Sequence, residues 1–185
     1  MYLLFQSFIF IDAEGSPVQE LAAIEVNCDS HAIMDVFHGY ARTQEKDIFA
    51  RKHIHGLNQD YVKLFGYDCE RSLITACKAW LRLKSYIALF ANGARREAEM
   101  LDLAVCELNL APWAERQHCA SHKIAIRYKE LSIPICKRRC DTYAHSSFVS
   151  PPPSSNVFTR LAKARHGHHC ALYDCVELYY QHLLS

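Results

Sequence analysis

The sequence predicts a mixed α/β fold in which a three-strand antiparallel meander leads into alternating helices and strands. Three observations carry this. Short runs rich in Val, Ile, Phe and Tyr fill residues 3–42, helical periodicity replaces them from about residue 43, and a further strand-like run at 85–91 is followed by another helical pattern. At 185 residues and 21.3 kDa the chain can bury one sizeable core, so a single domain over 1–185 is expected. Half of the residues are apolar and 22% are charged, with six Gly and six Pro, which excludes disordered and collagen-like classes.

LLFQSFIFID, residues 3–12, has the apolar character of a strand at the centre of a sheet, and it ends on a carboxylate. It lacks the cationic start and small-residue cleavage site of a secretion signal. Gly15-Ser16-Pro17 then turns the chain into ELAAIEVN (20–27) and AIMDVFHGYAR (32–42), two further strands of the meander. Helices are expected at about 43–52, 58–64 and 69–83; in the last, Leu73, Cys77, Trp80 and Leu81 share a face. SYIALFA (85–91) returns to strand and Asn92-Gly93 turns. ARREAEMLDLAVCELN is expected to be helical, with Met100, Leu101, Leu103, Ala104 and Leu108 facing inward.

A short strand near 117–120, a helix near 122–131, a flexible Ser/Pro-rich loop at 146–156 and FTRLAKAR precede the final helix, whose Leu172, Cys175, Val176 and Tyr179 form an apolar stripe. Meander, helix, strand, helix, strand, helix is the order of a ribonuclease H-like α/β domain with helices flanking the sheet.

Net charge is only +1, but residues 1–114 carry 11 Lys and Arg against 15 Asp and Glu, and the remainder 10 against 5. The basic C-terminal part suits a short nucleic-acid strand rather than a strong nonspecific grip. No run reaches the roughly 18–20 apolar residues of a membrane span, so no membrane partner is expected and the location is expected to be cytoplasmic or nuclear. Nine cysteines without a secretion signal fit reduced thiols and a metal; Cys28, Cys69, Cys77 and Cys106 are expected as small core residues.

Asp12-Ala13-Glu14 places two carboxylates on one face of a strand end, because alternate side chains point the same way. Such oxygens suit Mg²⁺ or Mn²⁺, and two ions of this type can drive phosphodiester hydrolysis. His169 and Asp174, in HCALYD, stand five residues apart at the start of the last helix. A His titrates near neutrality and suits a general base.

These motifs resemble the DEDDh 3′-5′ exonucleases, whose H-x-x-x-x-D element they match; HGLN at 55–58 and VFHGYAR sit where that family has similar strings. D-x-E-G at 12–15 and HCALYDC at 169–175 are similar to the exonuclease domain of arenavirus nucleoproteins, and the CAL portion to the Maelstrom domain. The resemblance implies Asp12, Glu14 and Asp174 as metal ligands and His169 as general base. In the family a third Asp opens the helix after the fourth strand. A gapless match puts Arg96 there, with Glu97 as the replacement carboxylate if the helix enters one residue out of phase. An Arg96 pointing inward would neutralise the acids and cripple two-metal catalysis.

Cys136, Cys140 and His145, with Cys170 beside His169, have the donor types of a tetrahedral Zn²⁺ site. The viral and Maelstrom resemblance implies Glu20, Cys140, His145 and Cys170 as its ligands, with Cys136 able to replace Cys140 or His145; Cys119 and His122 form a weaker pair. Lys137, Arg138, Arg139, Arg160, Lys163 and Arg165 are expected to meet phosphates, and Tyr143, Phe148 and Phe158 to stack bases. The expected function is a DEDDh-type exonuclease acting on 3′ ends of single-stranded nucleic acid, RNA favoured, with hydrolysis weakened or lost at Arg96. The alternative is an inactive, zinc-stabilised module that binds RNA or a protein partner.

Overall fold

A computed structural model of the chain describes residues 6–42, 59–110, 171–179 and 182. The meander forms as the sequence predicts: β1 (Ser7–Glu14), β2 (Glu20–Asn27) and β3 (Ile33–Tyr40) pair antiparallel in succession. α1 (Gln59–Phe65) and α2 (Glu70–Arg82) follow, then β4 (Tyr86–Asn92), α3 (Arg95–Leu101), β5 (Cys106–Leu108) and α4 (Ala171–Tyr179). β4 lies parallel to β1 on the side away from β2, and β5 lies parallel to β4. The result is a five-stranded mixed sheet of order β3-β2-β1-β4-β5, with β1 at its centre.

Both faces of β1 are covered, which is why its sequence reads as a nearly continuous apolar run. Phe10 packs with Ala22, Ile24 and Val26 under α4, whose Leu172, Cys175, Val176, Leu178 and Tyr179 close that core. Ile9, Ile11 and Ala13 point the opposite way, into a second core with Leu73, Cys77 and Leu81 of α2 and Leu101 of α3. Strand alternation therefore sends Asp12 and Glu14 to the α4 face. β1 also runs two residues beyond the expected end, so both acids belong to the strand itself.

α2 buries the predicted stripe, while Trp80 is half-buried and donates its indole N–H to Asp35 Oδ2 at 3.1 Å. Lys84 reaches the same carboxylate and Glu25, and Ser7 Oγ donates to Glu25 at 3.0 Å, pinning the sheet end remote from the acids. α4 is tied at both ends. Glu20 Oε1 accepts the Ala171 N–H at 2.8 Å, and the Tyr179 hydroxyl donates to the His31 carbonyl.

Two expectations need correction. The helix expected over 94–109 stops at Leu101, because Asp102 adopts a left-handed conformation (φ 54°) and returns its N–H to Ala98. Residues 106–108 then pair with the open edge of β4, so Leu103 and Ala104 are exposed rather than inward. Apolar spacing fits either element over so short a run, and the free strand edge decides. Secondly, of the four cysteines expected in the core only Cys77 is buried; Cys28 is half-buried, and Cys69 and Cys106 are exposed. The stripe expected on the last helix is buried as a unit: Leu172, Cys175, Val176 and Tyr179 all enter the same core, and Asp174 and Glu177 beside them are buried too. The expected elements at 43–52, 117–120 and 122–131, the 146–156 loop and FTRLAKAR lie outside the described residues. Among the described residues no helix is long and apolar enough to cross a membrane.

Candidate active site

Asp12 and Glu14 leave the C-terminal end of β1 on the face that α4 covers, and Asp174 sits in the first turn of α4 opposite them. One carboxylate oxygen from each lies within 4.8 Å of the other two. Asp12 and Asp174 are buried and Glu14 is half-buried. Three acids from two distant stretches of chain thus converge on one point. Burial raises the Asp12 carboxyl well above the ordinary carboxylate range. Repulsion by Glu14 and Asp174, a side-chain hydrogen bond with Glu14 and the charge of Glu97 add to it. Asp12 Oδ2 is buried with no hydrogen-bond partner among the described residues.

That arrangement fits a hard divalent cation. The donors are all carboxylate oxygens, one from each acid lies within 4.8 Å of the other two, and one buried oxygen is orphaned. It does not suit a soft, thiolate-preferring ion.

Glu97 is buried on α3, and its carboxyl is raised first by burial, against hydrogen bonds that it accepts from its own N–H and from the Ala13 N–H. Its charge reaches Asp12, but it is not among the three acids that converge. Arg96 is exposed, and its Nη2 donates to the Gly15 carbonyl. The guanidinium thus does not enter the site as the inward course would require: it is engaged with the β1–β2 turn, and of the acids its charge bears on Glu97, whose carboxyl it lowers.

Glu20 stands directly across from Glu14 in the β1–β2 register and is buried. Beside its bond from Ala171, its Oε2 lies 2.8 Å from His38 Nε2, and His38 lies 3.0 Å from the Tyr40 hydroxyl. His38 was not among the expected site residues. Its signal is present in the meander register, which sets Ala22 opposite His38 and Glu20 opposite Tyr40 on one face. His169, Cys136, Cys140, His145 and Cys170 lie outside the described residues, as do the basic and aromatic residues expected to meet nucleic acid.

No protein-family model matches the sequence, and no curated protein matches it. Solved structures do. The chain is similar to E. coli exonuclease I in complex with a dA13 oligonucleotide, at 12% identity and TM-score 0.50, over 95% of this chain and 39% of that one. The nuclease domain of 3′hExo, described as a DEDDh family member bound to rAMP, matches at 16% identity and TM-score 0.48, over 97% of this chain and 90% of that one. A full-length 3′-exonuclease matches at 17% identity and TM-score 0.47, over 95% and 58%. The chain therefore spans less than two thirds of exonuclease I and of the full-length 3′-exonuclease. With the mixed five-stranded sheet and its flanking helices, the exonuclease I likeness shows the fold: a ribonuclease H-like α/β domain.

Proposed function

We propose that this chain is a 3′-5′ exonuclease-like domain that takes the 3′ end of single-stranded nucleic acid, RNA favoured, and hydrolyses its terminal phosphodiester. The observation that supports it most is the convergence of Asp12, Glu14 and Asp174 within 4.8 Å at the end of the central strand. These three residues would hold Mg²⁺ or Mn²⁺. When bound, such a cation polarises the phosphoryl oxygen and lowers the pKa of an attacking water. Asp12 and Asp174, fixed on buried backbone, bind and orient; Glu14, half-buried, completes the set on the solvent side. His169, five residues before Asp174 in sequence, is assigned as the general base that takes the proton of the attacking water at a ring nitrogen.

The test is a 5′-labelled single-stranded oligonucleotide, in RNA and DNA versions of one sequence, incubated with Mn²⁺. The expected result is stepwise shortening from the 3′ end, faster on RNA, abolished by chelator and reduced at least 100-fold in Asp12→Ala and His169→Ala. Unshortened substrate at excess protein, with Asp12→Ala indistinguishable from wild type, refutes it.

A second reading, a non-catalytic RNA- or protein-binding module, is favoured by the ligand count: three acids converge and Glu97 stands outside them. Oligonucleotide binding without shortening would select it. A structural Zn²⁺ on Glu20, Cys140 or Cys136, His145 and Cys170 belongs to both readings. Its support is the bond between Glu20 and the N–H of Ala171, the residue next to Cys170. Metal analysis showing one zinc per chain, lost in Cys170→Ala, is the expected result; zinc-free protein that is fully folded would contradict it.

A further inference from the structure

Glu14 is the least buried of the three converging acids, and it is followed immediately by the turn that links β1 to β2. Strand pairing alone holds it poorly on one side. The ladder between β1 and β4 ends at Ile11 paired with Ala91, because Asn92-Gly93 carries the chain away into α3. Beyond Ile11 the backbone of β1 therefore has no strand neighbour on that flank. α3 fills the gap. Its second residue, Arg96, donates to the Gly15 carbonyl, and its third, Glu97, accepts the Ala13 N–H.

We infer that Arg96 and Glu97 form a two-point clamp on the backbone either side of Glu14, and are positioning residues that aim the Glu14 carboxylate into the site. This rests on the exonuclease reading for its purpose, but the clamp itself is a property of the metal-free chain. It gives Arg96 a role opposite to the one that its charge suggests. A cation next to an acidic site weakens metal binding if it pairs with the acids, whereas one bonded to a backbone carbonyl spares them and stiffens the strand end that presents them. The two contacts differ in what they need from the side chain. Glu97 acts here as a neutral acceptor would, so Gln can replace it; Arg96 acts as a donor with reach, so Lys replaces it in part and Ala does not.

Two readouts on the full chain test it. Hydrogen–deuterium exchange on metal-free protein reports the clamp directly. Arg96→Ala is expected to speed exchange across residues 13–18 about ten-fold, the loss of one charge-assisted hydrogen bond, while β2 and β4 keep wild-type rates. Arg96→Lys is expected to fall between the two. Mn²⁺ affinity reports the consequence. Arg96→Ala and Glu97→Ala are each expected to weaken it roughly five- to ten-fold, with Glu97→Gln within about two-fold of wild type.

Unchanged exchange at 13–18 in Arg96→Ala overturns the inference whatever the metal does. Glu97→Gln as weak as Glu97→Ala also overturns it, since Glu97 would then act through its charge as a ligand. Wild-type protein that fails to bind Mn²⁺ but loses protection in Arg96→Ala would sink the exonuclease reading and leave the clamp standing.

Discussion

Replacing Asp12 by Asn should make the metal-free chain more stable. Two unit charges 4.8 Å apart repel by roughly 3.5 kcal/mol at an effective dielectric constant near 20, and Asp12 faces two such charges, Glu14 and Asp174. The hydrogen bond between Asp12 and Glu14 lets a proton relieve part of this. A residual gain of about 1–3 kcal/mol is expected from removing the charge, with the new amide donating to a neighbouring carboxylate. In a chain of this size that raises the melting temperature by about 3–10 °C.

The pH dependence has a fixed sign. Asp12 holds its proton in the folded chain to a higher pH than in the unfolded chain, where the carboxyl titrates near 3.8. The folded state thus binds more protons over that span, and its metal-free stability declines as pH rises from about 4 through the elevated folded value. The Asn variant lacks this decline. Thermal melts of wild type and Asp12→Asn in chelator, at pH 5 and pH 8, then with excess Mn²⁺, measure it. Wild type should gain stability from Mn²⁺, most at pH 8, and the variant should gain little. A variant less stable than wild type in chelator at pH 8, or equal Mn²⁺ shifts in both, would refute the reasoning.

Core substitutions test the packing that brings the acids together. Leu101→Ala empties a fully buried site where α3 ends and should cost about 2–5 kcal/mol in denaturant melts. Gly39→Ala would set a Cβ 2.7 Å from Leu73 Cδ1 and should cost about 1–3 kcal/mol by pressing β3 off α2. Glu20→Ala strands the buried Ala171 N–H and should cost about 1–3 kcal/mol, with Glu20→Gln recovering most of it. Thiol alkylation should label Cys69 well before Cys77: the Ser72 hydroxyl lowers the exposed Cys69 thiol, whereas burial pushes Cys77 up to about 12. Labelling of Cys77 at the rate of Cys69 in native protein would contradict the buried face of α2.

The meander was legible because its signals are local. Alternation and turn residues bound β2 to the residue, and the D-x-E spacing alone puts Asp12 and Glu14 on one face of β1. The stripe Leu73, Cys77, Leu81 likewise reads directly as the buried side of α2. That Asp174 belongs with them was legible only through the spacing of HCALYD, since nothing local says which strand the last helix covers. What escaped the sequence is what depends on where chain segments meet. β5 exists because β4 leaves an open edge, and Leu103 to Leu108 carry a pattern that a helix could equally use. His38 joins Glu20, 18 residues away in sequence, through the register of β2 with β3. Arg96 was read as a charge near acids, but its hydrogen bond to Gly15 depends on the length of the side chain and the angle at which α3 enters.

The most direct measurement is Mn²⁺ binding followed by the loss of the free-ion EPR signal on titration into wild type and Asp174→Asn. Saturable uptake by wild type, weakened at least ten-fold in Asp174→Asn although its fold persists by circular dichroism, is the expected result, because α4 contributes one of the three converging carboxylates. Equal uptake by the two proteins, or none by wild type, would contradict a cation site built by β1 and α4 together.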